Sequence, residues 1–344
     1  MPRAYLYTLI AVLAWTTGPV GSKAALLASG PGPALTPTQV AFWSVALGWV
    51  LIFGLLALRG RLALLRAFPP RAWVVLALMG VFGWVAYQVS LNFAYTRLPL
   101  ADALIISYLN PVWVVVLQAP AFGLLMRPLS GFEQQPDIQE RRRAVQVAGG
   151  LAICILGVAV TATGGQLSAL LHLRLEVGAL AALFAGFTWG VYSNLGRFVS
   201  VRDGFSERGL SDVQTLVAMT FGLALMGAQL LGSGRLRLLT GYATPCYLGG
   251  SAPVSVPTWL IILIMGIFNY ALGYPMWLRA LEIGAHAGGA SKLPPLTYGV
   301  LITSTLLGWV LLRQPLGPGF AAGAALILAG NAVTLWPQRR VAVA

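Results

Sequence analysis

Gly80-Val-Phe-Gly-Trp-Val-Ala-Tyr-Gln88 decides the fold, because a similar stretch, Gly266-Ile-Phe-Asn-Tyr-Ala-Leu-Gly-Tyr274, occurs in the second half of the chain. In the same alignment Ala94 falls on Ala280. Each stretch lies within an apolar run that is long enough to cross a bilayer. The repeat therefore predicts two similar halves, which is the pattern of many secondary transporters.

Two further matches keep the same order along the chain. Trp15 precedes Lys23 by the spacing that separates Trp189 from Arg197. Residues 150–157 match residues 323–330, with a glycine at both ends of each segment. Each match alone is weak, and their common order supports the repeat.

The fourth and ninth apolar runs also correspond. Tyr108-Leu-Asn-Pro111 lies where the ninth run has Lys292-Leu-Pro-Pro295, with a slip of two residues. Proline inside a spanning helix removes a hydrogen-bond donor and frees a carbonyl. Matching prolines therefore predict bends at related places.

The composition is that of an integral membrane protein. Of the 344 residues 58% are hydrophobic and only 9% are charged, whereas soluble domains are about a quarter charged. The net charge of +13 could indicate nucleic acid, but the arginines lie in short loops between apolar runs. That distribution is a membrane topology signal, so we expect no nucleic-acid partner. Cys154 in an apolar run and Cys246 in a loop indicate no disulfide framework.

Ten apolar runs are long enough, at about 20 residues each, to span the bilayer as helices. They are predicted at residues 4–28, 37–58, 72–95, 101–122, 145–164, 175–198, 211–232, 257–280, 286–312 and 317–336. Residues 1–164 then form one five-helix repeat and residues 175–336 a second, within a single transmembrane domain (1–344). Because five is odd, the repeats have opposite topology. We expect an all-α membrane protein of ten transmembrane helices, in two inverted five-helix repeats around a central cavity.

The loop arginines predict the orientation. Fifteen of the 20 arginines fall on the side of the N-terminus, and the other five fall on the opposite side. Positive residues concentrate in cytoplasmic loops. We therefore expect a multi-pass protein of the bacterial inner membrane with both termini in the cytoplasm.

Two predicted helices carry a face of aromatic and amide side chains at helical spacing. Lipid offers amides no hydrogen bonds, so these faces are expected to turn inward, where rings can stack on a planar solute. The alternative for the rings is an interfacial belt. The predicted substrate-binding residues are Trp15, Trp84, Tyr87, Gln88, Asn92, Tyr108, Trp113, Trp189, Asn269, Tyr270, Tyr274, Trp277, Lys292 and Tyr298.

The lysines and prolines leave alternatives open. A lysine inside a span costs roughly 2.5–3.5 kcal/mol, so Lys292 is predicted to hold a substrate carboxylate or else to snorkel to the interface. Lys23 either faces the cavity or snorkels to the interface. The helix-bending residues could gate the transport path or could form packing kinks. The predicted gating residues are Gly18, Pro19, Pro111, Pro294 and Pro295.

The closing pattern Gly308-Trp-Val-Leu-Leu-Arg-Gln-Pro315, the five-plus-five runs and the paired tryptophans and prolines resemble the EamA type of the drug/metabolite transporter superfamily, over essentially the whole chain. Arg313-Gln314 stand where that family usually has Gly-Glu. The aromatic inner helices look most similar to the aromatic amino-acid exporter branch. The resemblance implies a secondary transporter, a uniporter or exchanger with alternating access, that exports aromatic or bulky neutral amino acids. The alternative is export of other small metabolites or drugs.

Other function classes have less support. An intramembrane enzyme would need a Ser–His, paired-carboxylate or metal constellation at membrane depth, and the chain has two histidines. A channel would not require repeated broken helices. We expect no catalytic residue, metal or cofactor, and no coupling-ion site is predicted. The expected partners are a small-molecule substrate and the lipid bilayer. The sequence does not fix the oligomeric state, and a monomer is compatible with it.

Overall fold

A computed structural model of the chain describes residues 1–27, 35–110, 113, 114, 117, 138–163, 165, 166, 176–202, 210–232, 255–287, 292–313, 316 and 319–336. In these residues ten helices follow one another at the positions of the ten predicted runs, and no strand occurs. The all-helical prediction is confirmed.

The helices have the following bounds. They are α1 (Pro2–Trp15 and Thr17–Leu27), α2 (Pro37–Leu58), α3 (Pro70–Met79, Gly80–Ala86 and Tyr87–Arg97), α4 (Leu100–Ser107), α5 (Ile138–Ala162), α6 (Val177–Arg202), α7 (Ser211–Gly232), α8 (Val256–Ile264, Met265–Gly273 and Tyr274–His286), α9 (Gly299–Leu312) and α10 (Phe320–Leu335). Two 3-10 helices, Arg61–Ala67 and Pro294–Tyr298, precede α3 and α9.

The helices form a membrane protein. Five stretches of the described chain are long and apolar enough to cross a bilayer: Pro2–Leu27, Pro37–Leu58, Pro70–Arg97, Ser211–Gly232 and Val256–Gly284. Three shorter apolar helices accompany them, at Val145–Val160, Leu296–Leu312 and Phe320–Thr334. Large apolar side chains are also exposed along α2, at Val50, Leu51, Phe53 and Leu55. A contiguous apolar surface of this kind suits contact with lipid.

Each of the two stretches that define the sequence repeat contains a π-helix. The π-helices are Gly80–Ala86 in α3 and Met265–Gly273 in α8. In α3 the backbone N–H of Tyr87 donates to the carbonyl of Phe82, five residues earlier. π-Helical turns are rare and often occur at functional sites. The repeat predicted the matching positions, whereas the π conformation was not predicted.

Residues that the sequence aligns as counterparts contact one another. The rings of Trp15 and Trp189 have centroids 5.1 Å apart. The side-chain amide of Gln88 donates from Nε2 to the hydroxyl of Tyr274, its counterpart, at 2.5 Å. If an axis relates the two halves, counterparts that lie close to that axis contact one another.

Glycines bring the second helix of each half against the third helix of the other half. A Cβ added at Gly48 of α2 would lie 3.0 Å from the carbonyl oxygen of Gly266 in α8. A Cβ added at Gly80 of α3 would lie 2.8 Å from the carbonyl oxygen of Ala218 in α7. Gly80 and Gly266 are aligned in the repeat, so the same kind of contact occurs twice.

The glycines of the fifth predicted run pack on those of the tenth. A Cβ added at Gly150 of α5 would lie 2.6 Å from the carbonyl oxygen of Gly330 in α10, and one added at Gly157 would lie 2.7 Å from that of Gly323. The earlier glycine of one helix thus pairs with the later glycine of the other. The two helices therefore run antiparallel.

Replacing Gly150 by valine is expected to lower the stability of the protein by about 1–3 kcal/mol, the usual cost of overpacking a tight contact. The matched control is Gly149→Val in the same helix, because an added Cβ there has no heavy atom within 4 Å. Thermal unfolding of both variants in detergent checks the prediction. Equal melting temperatures would contradict the close contact between α5 and α10.

Candidate functional site

A cavity lies among α1, α3, α4, α6, α8 and the 3-10 helix before α9. Its empty space is about 490 Å³, including the part open to solvent. Ser22 and Tyr95 line it, which places it toward the end of the bundle where α1 and α3 end. The predicted residues that line it are Trp15, Gly18, Pro19, Tyr87, Gln88, Asn92, Tyr108, Trp189, Asn269, Tyr270 and Tyr274.

Five lining residues are not among the predicted binding or gating residues. They are Ser22, Leu91, Tyr95, Asn110 and Thr297. Leu91 and Tyr95 belong to the aromatic and amide face that the sequence predicts on α3, although they are not among the predicted binding residues. Ser22, Asn110 and Thr297 carry no comparable signal, because short polar side chains are also common at packing positions in membrane helices.

Five predicted site residues do not line this cavity. Trp84 and Trp277 are fully buried behind its wall. Tyr298 is buried with its ring 6.5 Å from that of Tyr108, and the ring of Trp113 packs on Phe187. Lys292 is half-buried. The prediction treated aromatic residues on one helix as equivalent, although the helix packing places some at the wall and others behind it.

The structure places the predicted gating residues at two interruptions. In α1 the regular helix stops at Trp15 and resumes at Thr17, shortly before Gly18 and Pro19. The hydroxyl of Thr17 donates to the carbonyl of Ala14 at this point, so a side chain contributes a hydrogen bond where the regular helix is interrupted. Pro111 lies outside the described residues.

Pro294 and Pro295 begin a 3-10 helix that leads into α9, instead of bending a continuous helix over residues 286–312. The predicted span is corrected accordingly. Proline suits the first positions of a helix because the missing N–H would have no partner there. The interruption is thus a change of helix type at the start of α9.

Eight rings from α1, α3, α6 and α8 form an aromatic cluster beneath the cavity. Tyr274 lies at its centre, with ring centroids 4.2 Å from Trp84 and 5.7 Å from Trp15. Such pairs contribute roughly 0.5–1.5 kcal/mol each beyond burial. The members are Trp15, Trp84, Tyr87, Trp189, Tyr192, Tyr270, Tyr274 and Trp277. Part of the cluster is exposed to the cavity, and the rest supports those rings from below.

Gln88 fixes the orientation of two tyrosines in this cluster. Its Nε2 donates to the hydroxyl of Tyr274, and its Oε1 accepts from the hydroxyl of Tyr270 at 3.0 Å. Both ends of one buried amide therefore join α3 to α8. Gln88, Asn92 and Asn269 are all buried, as amides without lipid partners should be.

The cavity wall offers polar groups but no charge. Among the described lining residues none is Asp, Glu, Lys, Arg or His. Trp15 Nε1, the hydroxyl of Tyr95 and Asn110 Oδ1 are buried without a hydrogen-bond partner. An unpartnered buried polar group costs about 1–3 kcal/mol. These atoms have almost no accessible surface, so a solute would bond to them, and recover that cost, only after a shift of the side chains. The polar groups favour a polar solute, and the lack of charge among the described lining residues favours a net-neutral one.

Lys23 does not line the cavity, and its ammonium group bonds to backbone carbonyls. Its Nζ donates to the carbonyls of Tyr95 at 2.6 Å and Leu98 at 3.1 Å. These carbonyls belong to the end of α3, where cations are favoured by the helix dipole. Lys23 therefore ties α1 to the end of α3 beside the cavity.

Among the described residues, two ion pairs lie at the opposite end of the bundle. Arg61 Nη1 is 2.5 Å from Asp212 at the start of α7, and Arg279 Nη1 is 2.9 Å from Glu282 near the end of α8. Glu282 is fully buried, although its place near a span end gave no such expectation. Leaving one member of a buried pair alone is costly, and the Arg279–Glu282 pair compensates the buried carboxylate within α8 itself.

Comparisons with known proteins agree with the geometry. The sequence model of the EamA-like transporter family matches residues 2–130 and 176–336. A protein of Streptantibioticus cattleyicolor described as a probable terminal-alkyne amino-acid exporter is 26% identical over 269 residues, which cover 77% of this chain and 75% of that protein. A solved crystal structure covers 97% of both chains with a TM-score of 0.63 and 23% identity, which shows a common fold.

Proposed function

Because the chain belongs to the EamA-like transporter family, we propose that this multi-pass membrane transporter exports aromatic or bulky neutral amino acids by alternating access. A transporter of this family moves its substrate without converting it, so the site is a binding site rather than an active site. The relative described as an amino-acid exporter supports the proposed substrate class.

The composition of the cavity wall is the observation that carries the proposal. Aromatic rings form the floor, amides and hydroxyls surround it, and no described lining residue is charged. A neutral amino acid is a zwitterion with no net charge, so a neutral wall suits such an amino acid better than it suits a solute with a net charge. Its ammonium group gains roughly 0.5–2 kcal/mol from ring faces. Its carboxylate can accept hydrogen bonds from Trp15 Nε1 and the Tyr95 hydroxyl, both of which are unpartnered.

The proposed substrate-binding residues fall into groups according to their position relative to the cavity wall. Those at the wall contact the solute, and Trp84, Trp277 and Tyr298, whose rings contact wall residues from behind, hold the wall in position. Trp113 instead packs on Phe187 of α6. Lys292 lies outside the described cavity wall in this conformation, so the predicted carboxylate contact would require a rearrangement of the start of α9. The wall donors make such a contact unnecessary here.

We place both termini in the cytoplasm of a cell with the protein in its inner membrane, as the arginine distribution predicts. The cavity then faces outward, and at the cytoplasmic end the Arg61–Asp212 pair joins the 3-10 helix before α3 to the start of α7. The interruption of α1 at Thr16 and the 3-10 helix before α9 are the points at which bending would open that end. The wall contains no described carboxylate, which supports a uniporter or exchanger over a proton-coupled carrier.

Purified protein in liposomes is expected to exchange labelled phenylalanine for internal unlabelled phenylalanine with saturable kinetics. Phenylalanine, tyrosine and leucine should compete, whereas lysine, glutamate and cationic drugs should not, because the wall carries no opposite charge. Protein-free liposomes supply the background. Competition by nucleobases or cationic drugs alone would indicate a carrier for other metabolites or drugs, and flux that never saturates would indicate a channel.

A further inference from the structure

The ring of Tyr192 in α6 fills a space that is open at the corresponding position of α1. Tyr192 is fully buried. Its ring centroid is 5.4 Å from that of Trp189, 6.3 Å from Trp84 and 5.8 Å from Tyr274. The ring also lies directly against Gly83, where an added Cβ would clash with it. Four residues therefore define the place of this ring.

The repeat assigns a counterpart to each of these residues. The spacing that aligns Trp15 with Trp189 places Gly18 on Tyr192, and the alignment of residues 80–88 with 266–274 gives the other three. All five counterparts line the cavity, and they are Trp15, Gly18, Gln88, Asn269 and Tyr270. The cavity therefore includes the place that corresponds to the Tyr192 ring.

The contact between α1 and α8 explains why this place is open. A Cβ added at Gly18 would lie 2.7 Å from Oδ1 and 2.8 Å from Cγ of Asn269. At the corresponding contact between α6 and α3, the large residue is Tyr192 and the small one is Gly83. At the contact between α1 and α8, the small residue is Gly18, and the larger one is only an asparagine. Because a carboxamide is smaller than a phenol ring, the exchange leaves room beside the amide.

We propose that the side chain of the transported amino acid binds in this place, beside the Gly18–Asn269 contact, and that it is a single six-membered ring or an apolar group of similar size. The proposal rests on the proposed function and adds the determinants of specificity to it. Trp15 and Tyr270 face the bound ring as Trp189 and Trp84 face the ring of Tyr192. Gly18 and Asn269 set the upper limit of its size, and edge and face contacts with the two rings favour an aromatic group.

Two substitutions change this size limit in opposite directions. Gly18→Ala narrows the place, and we expect the efficiency of transport of phenylalanine relative to valine to fall about tenfold or more, the usual effect of one misfitted methylene-sized group. Asn269→Gly introduces the residue found at the counterpart position and widens the place. Transport of tryptophan relative to phenylalanine is then expected to rise by about the same factor. The matched control is Gly54→Ala in α2, where an added Cβ meets nothing within 4 Å.

The measurement is kcat/KM for valine, phenylalanine and tryptophan in liposomes, for the full chain and the three variants, with each rate divided by the amount of folded protein. An unchanged order of preference in Gly18→Ala and Asn269→Gly, with active wild-type protein, would overturn this inference and leave the proposed function standing. A wild-type protein that transports none of the three amino acids would overturn the proposed function as well. If Gly18→Ala does not fold, Asn269→Gly decides, because it only removes atoms.

Discussion

Replacing Trp15 by alanine is expected to reduce amino-acid transport per folded molecule by about tenfold or more. Trp15 lines the cavity and contacts the rings of Trp189, Tyr274 and Trp277. The substitution removes a ring that contributes roughly 0.5–1.5 kcal/mol to contact with a planar solute. It also removes the unpartnered indole N–H, and a hydrogen bond to a carboxylate contributes about 1.5–3 kcal/mol. A loss of about 1.4 kcal/mol already corresponds to a factor of ten.

Two variants separate the contributions of Trp15. Trp15→Phe keeps a ring and loses the N–H, so its transport should lie between that of the wild type and that of Trp15→Ala. Trp309→Ala is the control, because Trp309 lies in α9 with 51% of its surface exposed, away from the cavity wall. Initial rates of phenylalanine exchange, normalised to the monodisperse protein recovered in detergent, check the prediction. Wild-type rates and KM in Trp15→Ala would remove Trp15 from the binding site.

Replacing Trp84 by alanine is expected to act mainly on stability. Trp84 is 0% exposed, and its ring centroid lies 4.2 Å from that of Tyr274 and 5.7 Å from that of Tyr270. The backbone of α7 also approaches it closely, because an added Cβ at Gly222 would clash with it. Removing a buried tryptophan costs about 3–5 kcal/mol through lost contacts and the space left behind. We therefore expect a clear fall in the thermal unfolding temperature.

The effect of Trp84→Ala on transport should be smaller than that of Trp15→Ala when both are expressed per folded molecule, because Trp84 supports the wall from behind. Trp309→Ala again serves as control for the loss of an exposed indole. An unchanged unfolding temperature together with a tenfold loss of transport would place Trp84 at the binding surface and contradict this division of roles.

Much of the fold was predictable from the sequence because lipid permits few solutions. A bilayer leaves backbone groups without water, so ten apolar runs in one chain predict ten helices. The bounds of α2 and α7 agree with the predicted runs, 37–58 and 211–232. The start of α9 was wrong, because the periodicity of apolar residues does not distinguish a 3-10 helix around two prolines from an α-helix.

The site was predictable in part for the same reason. An amide at membrane depth must face protein or a cavity, so Gln88, Asn92 and Asn269 were identified from their positions alone. Lys23 shows the limit of such reasoning. Its partners are the carbonyls of Tyr95 and Leu98, and these are available only because α3 ends there and packs beside α1.

By itself, the sequence determined the helical membrane class, the repeat and the inward aromatic and amide faces, since each follows from what lipid cannot solvate or from residues that recur in order. Only the tertiary structure decided which aligned residues reach the cavity. Trp84 and Tyr270 are counterparts, yet one is behind the wall and the other at it. The reason is that the position of each ring depends on the side chain that packs against it. The repeat has Tyr192 in α6 where it has Gly18 in α1, so the space is filled by a ring beside α6 and is open beside α1.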